Sequence, residues 1–190
     1  MAVAKKASTA KAKSAPKKVA GEKVATKKNV KSSSELVITV PQGGQVIRTF
    51  NLTPALPVDG QVQNWLMADP AKPTTDIDSI RVSFSVQSSE LEQEFERAII
   101  EINMLQNPNN NGVWRFMGTG VAVSPEYSDV HHDVAVEIIN QGLTLIAQVQ
   151  VIGDYQEEIK FGYVAAFTDA NSGEITIYES QDPDLKPGRP

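Results

Sequence analysis

The residues with the clearest chemical potential are ten lysines near the start of the chain. Within residues 1–31 they are accompanied by one acid, Glu22, whereas the remaining residues hold eight basic side chains and twenty-two acids. The first segment therefore carries a formal charge of +9 and the rest −14, which together give the net charge of −5. Ammonium groups at this density can neutralise the phosphates of a polyanion and release its counterions. The lysines are Lys5, Lys6, Lys11, Lys13, Lys17, Lys18, Lys23, Lys27, Lys28 and Lys31.

Three partners remain open for this lysine-rich segment. It can bind nucleic acid or another polyanion, dock on an acidic protein surface of its own or a neighbouring molecule, or serve only as a solvated tail. The segment has no arginine and no aromatic residue. Base recognition and stacking on single strands use those residue types, so any binding of nucleic acid should be non-specific and sensitive to salt.

The Lys-Ala-Ser-Pro composition of this segment resembles that of the tails of linker histones and bacterial histone-like proteins. It is also similar to the basic arms of small viral coat proteins, which precede a β-sandwich shell domain. The resemblance covers about thirty residues and implies a partner with phosphate groups.

A second candidate is the run His131, His132 and Asp133, since Asp129, His131 and Asp133 would share one face of an extended strand. Such a face offers nitrogen and oxygen ligands to a divalent metal. The alternative is a polar strand edge or loop, and we expect that role because the two histidines are adjacent and would point to opposite faces. We therefore expect no metal and no other cofactor.

Other polar residues give little support for catalysis. The acids Glu90, Glu92, Glu94, Glu96 and Glu101 repeat at spacings typical of a solvated helix face. The sequence contains no Gly-x-Ser-x-Gly motif, and the segment Gly118-Thr119-Gly120 is too short for a phosphate-binding loop. The acid pairs Asp76/Asp78 and Asp182/Asp184 lack the ligand spacing of a calcium loop. We predict that the protein is not an enzyme.

Composition predicts a disordered basic tail over residues 1–34 and a folded acidic domain over residues 35–190. The tail is too polar and too highly charged to bury a core. The chain has no cysteine, which fits a reducing compartment, and we expect a cytoplasmic location. No run of about 18 apolar residues is present, so no membrane-spanning helix is expected.

The first half of the domain should contain strands, a loop and one helix. Segments 36–40 and 45–52 flank Gly43-Gly44 and predict a hairpin. Residues 53–79 are proline-rich, and the triplet Trp65-Leu66-Met67 within them should plug one end of the core. Alternation predicts a strand over 80–86. Apolar residues at helical spacing, after a capping box at Ser89 and Glu92, predict an amphipathic helix over 90–105, although 98–105 could instead be a strand.

The second half alternates strands and turns. Strands are predicted over 113–123, 134–140, 143–152, 157–168 and 174–178, with tight hairpins at Gln141-Gly142 and Asn171-Ser172-Gly173. Residues 181–190 hold three prolines and should form an extended strap. Together these elements predict a mainly β protein, an antiparallel β-sandwich of about seven or eight strands with one amphipathic helix.

These observations favour a non-catalytic binding or assembly protein. Its tail would bind nucleic acid or another polyanion, and its acidic sandwich would make contacts between subunits of a homo-oligomer. One alternative is a purely structural self-assembling protein, such as an inclusion, fibre, coat or surface component, in which the tail docks on a neighbour's acidic face. Another is a sandwich that binds a small ligand through Trp65, Trp114 and Tyr127.

Overall fold

The computed structural model describes residues 34–123, 134–153, 158–181 and 183–189. These residues form two β-sheets with a short helix, so the prediction of a mainly β sandwich is confirmed. The first sheet contains β1 (Glu35–Thr39), β4 (Ser79–Ser83), β6 (Gly112–Val123), β9 (Ile159–Asp169), β10 (Ile175–Glu179) and β11 (Asp184–Gly188). The second contains β2 (Gln45–Thr53), β3 (Leu66–Ala68), β5 (Arg97–Met104), β7 (Val134–Ile139) and β8 (Thr144–Val149).

Both sheets are mixed, whereas the sequence predicted antiparallel pairing. The first sheet has the order β1-β4-β11-β9-β10, with β6 also paired to β9, and the second has the order β3-β2-β5-β8-β7. Strand β4 is parallel to both β1 and β11, and β2 is parallel to β5. Parallel partners are joined by long connections, so alternation along the chain did not reveal them.

The predicted hairpin over residues 36–52 is wrong. Strands β1 and β2 belong to different sheets, and the turn at Gly43-Gly44 carries the chain from one sheet to the other. This arrangement lets Ile38 of β1 and Phe50 of β2 both point into the core from opposite sides, where each is 1% exposed. A two-stranded hairpin in one sheet would have placed them side by side.

The predicted helix over 90–105 is also wrong for most of its length. Helix α1 spans only Glu90–Gln93, and the capping box formed by Ser89 and Glu92 is present. The chain then enters β5, the centre of the second sheet, whose buried side chains alternate with less buried ones. The helix was predicted from an apolar stripe formed by Leu91, Phe95, Ala98, Ile99, Ile102 and Leu105. Its first two members, Leu91 and Phe95, are 65% and 55% exposed. Pairing with β2 and β8 satisfies the backbone of β5 and decides its conformation.

The proline-rich segment before β4 contributes to the core as predicted. Trp65 and Met67 are buried, and the ring of Trp65 meets that of Trp114 edge to face, with centroids 5.4 Å apart. Trp114 is fully buried and also packs against Phe167 and Tyr178. Aromatic groups of this size bury large apolar areas, so this cluster is a principal part of the core.

The hairpins β7–β8 and β9–β10 are confirmed, and the C-terminal segment is extended as predicted. That segment is more than a strap, because β11 lies between β4 and β9 inside the first sheet. Only Asp184 and Leu185 pair with β9. Pro187, which has no N–H to donate, lies beyond that pairing but is still opposite Val82 in the parallel ladder with β4.

Two neighbouring isoleucines of β5 distinguish the strand from the predicted helix. Ile100 is 2% exposed and Ile99 is only partly buried, whereas a helix with the predicted stripe would bury Ile99 instead. We expect Ile100→Ala to lower the free energy of unfolding by about 2–5 kcal/mol, and Ile99→Ala to lower it by about 1 kcal/mol. Urea unfolding of both variants measures the difference, and the reverse order of the two losses would contradict the strand.

Candidate functional site

The residues predicted to bind polyanions or metal cannot be placed by the structure. The ten lysines from Lys5 to Lys31 lie outside the described residues, as do Tyr127, Asp129, His131, His132 and Asp133. Among the residues that are described, no group of three or more histidine, aspartate or glutamate side chains is arranged to hold a metal ion. No helix within those residues is long and apolar enough to cross a membrane.

The acids of the predicted helix have separate roles. Glu90 and Glu94 are exposed, as expected for a solvated face, and Glu92 caps α1 by accepting a hydrogen bond from the backbone N–H of Ser89 at 2.7 Å. Glu101 in β5 accepts a hydrogen bond from the hydroxyl of Thr49 at 3.2 Å. The expectation of a solvated carboxylate is wrong for Glu96, whose exposed fraction is 0%.

Glu96 forms a buried ion pair with Arg189, which is itself only 3% exposed. The Nη2 atom of Arg189 lies 2.6 Å from Oε2 of Glu96. The other carboxylate oxygen, Oε1, accepts hydrogen bonds from the backbone N–H of Gly43 at 2.9 Å and from the hydroxyl of Ser88. A buried carboxylate is tolerated only when it is paired and hydrogen-bonded in this way.

The guanidinium of Arg189 makes further contacts on the opposite side of the pair. Nη2 donates to the backbone oxygen of Val151 at 3.1 Å, and Nη1 donates to that of Ser85. The guanidinium carbon lies 5.6 Å from the ring centroid of Phe84, close enough for a cation–π contact. The residue just after the last strand is thereby attached to two segments distant in sequence.

Two opposing effects set the pKa of Glu96. Burial raises the pKa, but the hydrogen bonds from Ser88, Arg189 and Gly43 stabilise the carboxylate and hold the pKa below its ordinary value. The group is therefore ionised near neutral pH, with its oxygens occupied by protein donors. A carboxylate in this state is suited to holding chain segments together in the fold and not to proton transfer.

A network of charges also lies on the outer side of the first sheet. Arg81 contacts Glu35 at 2.9 Å, and Lys186 lies within 4.0 Å of Glu35, Glu158 and Asp184. The hydrogen bond from Arg81 lowers the pKa of Glu35. These two basic side chains are surrounded by carboxylates, so this face is a poor site for an anionic partner.

One candidate site for a ligand is a cavity of about 370 Å³ between the two sheets. Its walls come from seven strands, and none of the described residues that line it is charged. The lining residues are Ile80, Ile100, Ile102, Thr119, Val121, Val123, Val134, Val136, Leu145, Ala147, Ile159, Phe161, Tyr163 and Leu185.

Both hydroxyl groups of this apolar cavity already have partners in the protein. The Thr119 hydroxyl donates to the backbone oxygen of Val121 at 2.6 Å. The Tyr163 hydroxyl lies 3.1 Å from the sulfur of Met67, and burial raises the pKa of this tyrosine. The cavity therefore offers an aliphatic wall with little hydrogen-bonding capacity.

A bulge in β6 shapes one wall of the cavity. The pairing of β6 with β9 shifts between Phe116 and Val121, and Gly118 and Gly120 both have positive φ angles. A Cβ atom on Gly120 would lie 2.3 Å from Cδ1 of Leu145 in β8, so the strand passes close to the other sheet. The sequence signal for this bulge was the pair of glycines within a strand.

A smaller, more polar cavity of about 260 Å³ involves one residue of the predicted aromatic ligand site. Trp65 lines it together with Asn64, Asp78 and Gln181. Trp114, in contrast, is fully buried in the core. Trp65 and Trp114 are therefore in contact within the core, but only Trp65 lines this cavity, and Tyr127 lies outside the described residues.

Breaking the buried pair should cost far more stability than removing a neighbouring surface charge. Glu96→Gln leaves Arg189 buried without a counter-charge, and we expect it to lower the free energy of unfolding at pH 7 by about 3 kcal/mol. The control Glu94→Gln, at an exposed position two residues earlier, should change it by less than about 0.5 kcal/mol. Equal effects in urea unfolding would contradict a fastening role for the pair.

The lowered pKa of Glu96 gives this stabilisation a defined pH dependence. Because the folded-state pKa lies below the unfolded value of about 4.3, the contribution is complete above that pH and is lost as the pH falls through the folded-state pKa. We expect the stability gap between the wild type and Glu96→Gln to narrow below about pH 4.3. Denaturant unfolding from neutral to acidic pH measures this gap, and a constant gap would contradict the assignment.

Comparison with known proteins places the chain in a family. Residues 33–189 match the DP-EP family. No curated protein matches the sequence. Among solved structures, the chain is similar to the cysteine protease inhibitor EhICP2 from Entamoeba histolytica, with 9% sequence identity, a TM-score of 0.26, and coverage of 77% of this chain and 97% of that chain. Because the family match spans most of the sequence, the chain belongs to the DP-EP family.

Proposed function

We propose that this protein is a non-catalytic, cytoplasmic binding and assembly protein. In this proposal the lysine-rich segment holds nucleic acid or another polyanion, and the acidic β-sandwich makes the contacts between subunits. The observation that carries it is the separation of charge within the chain, +9 in residues 1–31 against −14 in the rest. Attraction to a polyanion would therefore act on one segment and repulsion on the other.

The contacts of the folded domain support the assignment of anion binding to the lysine-rich segment. Of the eight basic side chains outside that segment, Arg81, Lys186 and Arg189 are engaged by carboxylates. Arg115 donates to the backbone oxygen of Gln141 at 2.6 Å. Four of the eight basic groups of the domain are thus engaged within the fold, and the eight are outnumbered by twenty-two acids.

The chemistry of lysine determines the type of recognition. An ammonium group acts as a compact point charge and lacks the planar fork with which arginine contacts phosphates and guanine. Affinity should therefore depend on the number of phosphates neutralised and hardly on base sequence. The logarithm of the association constant should fall by about 0.9 per contacted phosphate for each tenfold rise in salt.

The direct test replaces all ten lysines from Lys5 to Lys31 in the full chain. With glutamine at these positions, the affinity for a fluorescent DNA duplex at low salt should fall by at least about 10³. With arginine, which keeps the charge, it should be retained. Fluorescence anisotropy between about 50 and 200 mM salt measures both variants and the slope. Unchanged affinity of the glutamine variant would contradict the proposal.

A second candidate function, structural self-assembly, is favoured by the edge strand β10. Within the described residues β10 pairs only with β9, and its outward side chains Ile175 and Ile177 are 64% and 61% exposed. An unpaired strand edge with exposed apolar side chains is a common site of association between chains. The lysine-rich segment would then dock on the acidic face of a neighbouring copy.

A single lysine at this edge tests self-assembly. We expect Ile177→Lys to shift the oligomer toward smaller species, because a charge beside the unpaired edge opposes pairing. Ile47→Lys, at a position 56% exposed in the second sheet, is the matched control and should leave the size unchanged. Size-exclusion chromatography with light scattering at low and high salt measures both variants. A wild-type protein that is monomeric in both would reject this candidate.

A further inference from the structure

We infer that the cavity between the two sheets binds a neutral aliphatic molecule, such as one with a hydrocarbon chain or an alicyclic ring system. This function is separate from polyanion binding and does not involve the lysine-rich segment. The inference rests on the size of the cavity, the chemistry of its walls and its position between two edge strands.

A cavity of this size is unusual in a close-packed protein core. Protein interiors leave few voids larger than a water molecule. A cavity of about 150 Å³ with apolar walls stays dry and binds small apolar molecules. The cavity here, about 370 Å³, is larger and partly open to solvent, and its volume lies within the range of sites for small molecules.

The side chains that line the cavity favour an aliphatic ligand. Of the residues that line the cavity, most are isoleucine, valine, leucine or alanine, and Phe161 and Tyr163 supply the aromatic rings. Ala147 in β8 and Val136 in β7 are cross-strand partners and both line it. Small side chains at paired positions leave space where larger ones would meet the opposite sheet.

The absence of charge among the described lining residues favours a neutral ligand over an anionic one. No described lining residue carries a charge, and the hydroxyls of Thr119 and Tyr163 already have partners. A carboxylate drawn into such a site would lose its hydration without gaining a counter-charge. The acidic domain also repels anions, since residues beyond 31 carry a formal charge of −14.

The cavity reaches solvent between β6 and β7. Thr119 is exposed, and Val121, Val123, Val134 and Val136 are partly exposed. In the described sheets β6 pairs only with β9 and β7 pairs only with β8, so both strands have a free edge on this side. The bulge in β6 interrupts regular pairing at the same place. In this inference an apolar ligand enters between these two strands.

The test uses N-phenyl-1-naphthylamine, a neutral apolar fluorophore, with the full-length protein. We expect a saturable rise in its fluorescence, and displacement by 1-dodecanol but at least tenfold weaker displacement by dodecanoate. Binding should not change between low and high salt, which separates it from polyanion binding. Ala147→Phe fills the cavity and should weaken probe binding at least tenfold while the melting temperature is maintained or rises.

The matched control is Ala135→Phe, which places the same side chain at an exposed position of β7, one residue before Val136. It should bind the probe as the wild type does. If Ala147→Phe does not fold, Val136→Phe fills the cavity from the facing strand and replaces it. Equal probe binding by the filled variant and the control, no binding by the wild type, or displacement by dodecanoate as strong as that by 1-dodecanol would overturn the inference.

Discussion

The buried ion pair between Glu96 and Arg189 is the interaction on which the arrangement of the two sheets most depends. Glu96 immediately precedes β5 of the second sheet, and Arg189 immediately follows β11 of the first. The pair also engages the turn at Gly43, which joins β1 to β2 across the sheets. Removing two charges from water costs several kcal/mol per ion. Here hydrogen bonds to both carboxylate oxygens and to both Nη atoms offset that cost, while the buried Nε of Arg189 has no partner among the described residues. Three chain segments must therefore be in place together.

The pair explains why the C-terminal strand can lie inside a sheet. β11 is short, contains Pro187 and pairs with β9 through only two residues. Its parallel ladder with β4 and the contacts of Arg189 with Ser85, Val151 and Glu96 hold it in place. A last strand without such an anchor would be exposed to fraying. The packing of Leu185 in the core depends on this attachment.

The sandwich differs between its aromatic and aliphatic parts. Trp114 packs against Trp65, Phe167 and Tyr178, and large rings fill the space between the sheets there. Around Ala147 and Val136 the side chains are small and a cavity remains, with the bulge of β6 forming part of its wall. The separation of charge between the basic segment and the acidic domain affects which partners the protein attracts and not how the domain folds.

Local patterns of the sequence determined the mainly β class, the strands from β6 to β10, the two hairpins among them and the separation of charge. These features depend on residues close together in the chain, as with Gln141-Gly142 between β7 and β8. Residues 97–104 fit two patterns, since Ala98, Ile99 and Ile102 have helical spacing while Ala98, Ile100 and Ile102 alternate. These residues form a strand because β2 and β8 supply backbone hydrogen-bond partners on both sides of them. Other features join residues far apart in the chain. They are the parallel strand pairs, the position of β11, the ion pair between Glu96 and Arg189, and the cavity. Tertiary structure alone decided them, because a local pattern shows that a side chain is to be buried but not which distant segment will cover it.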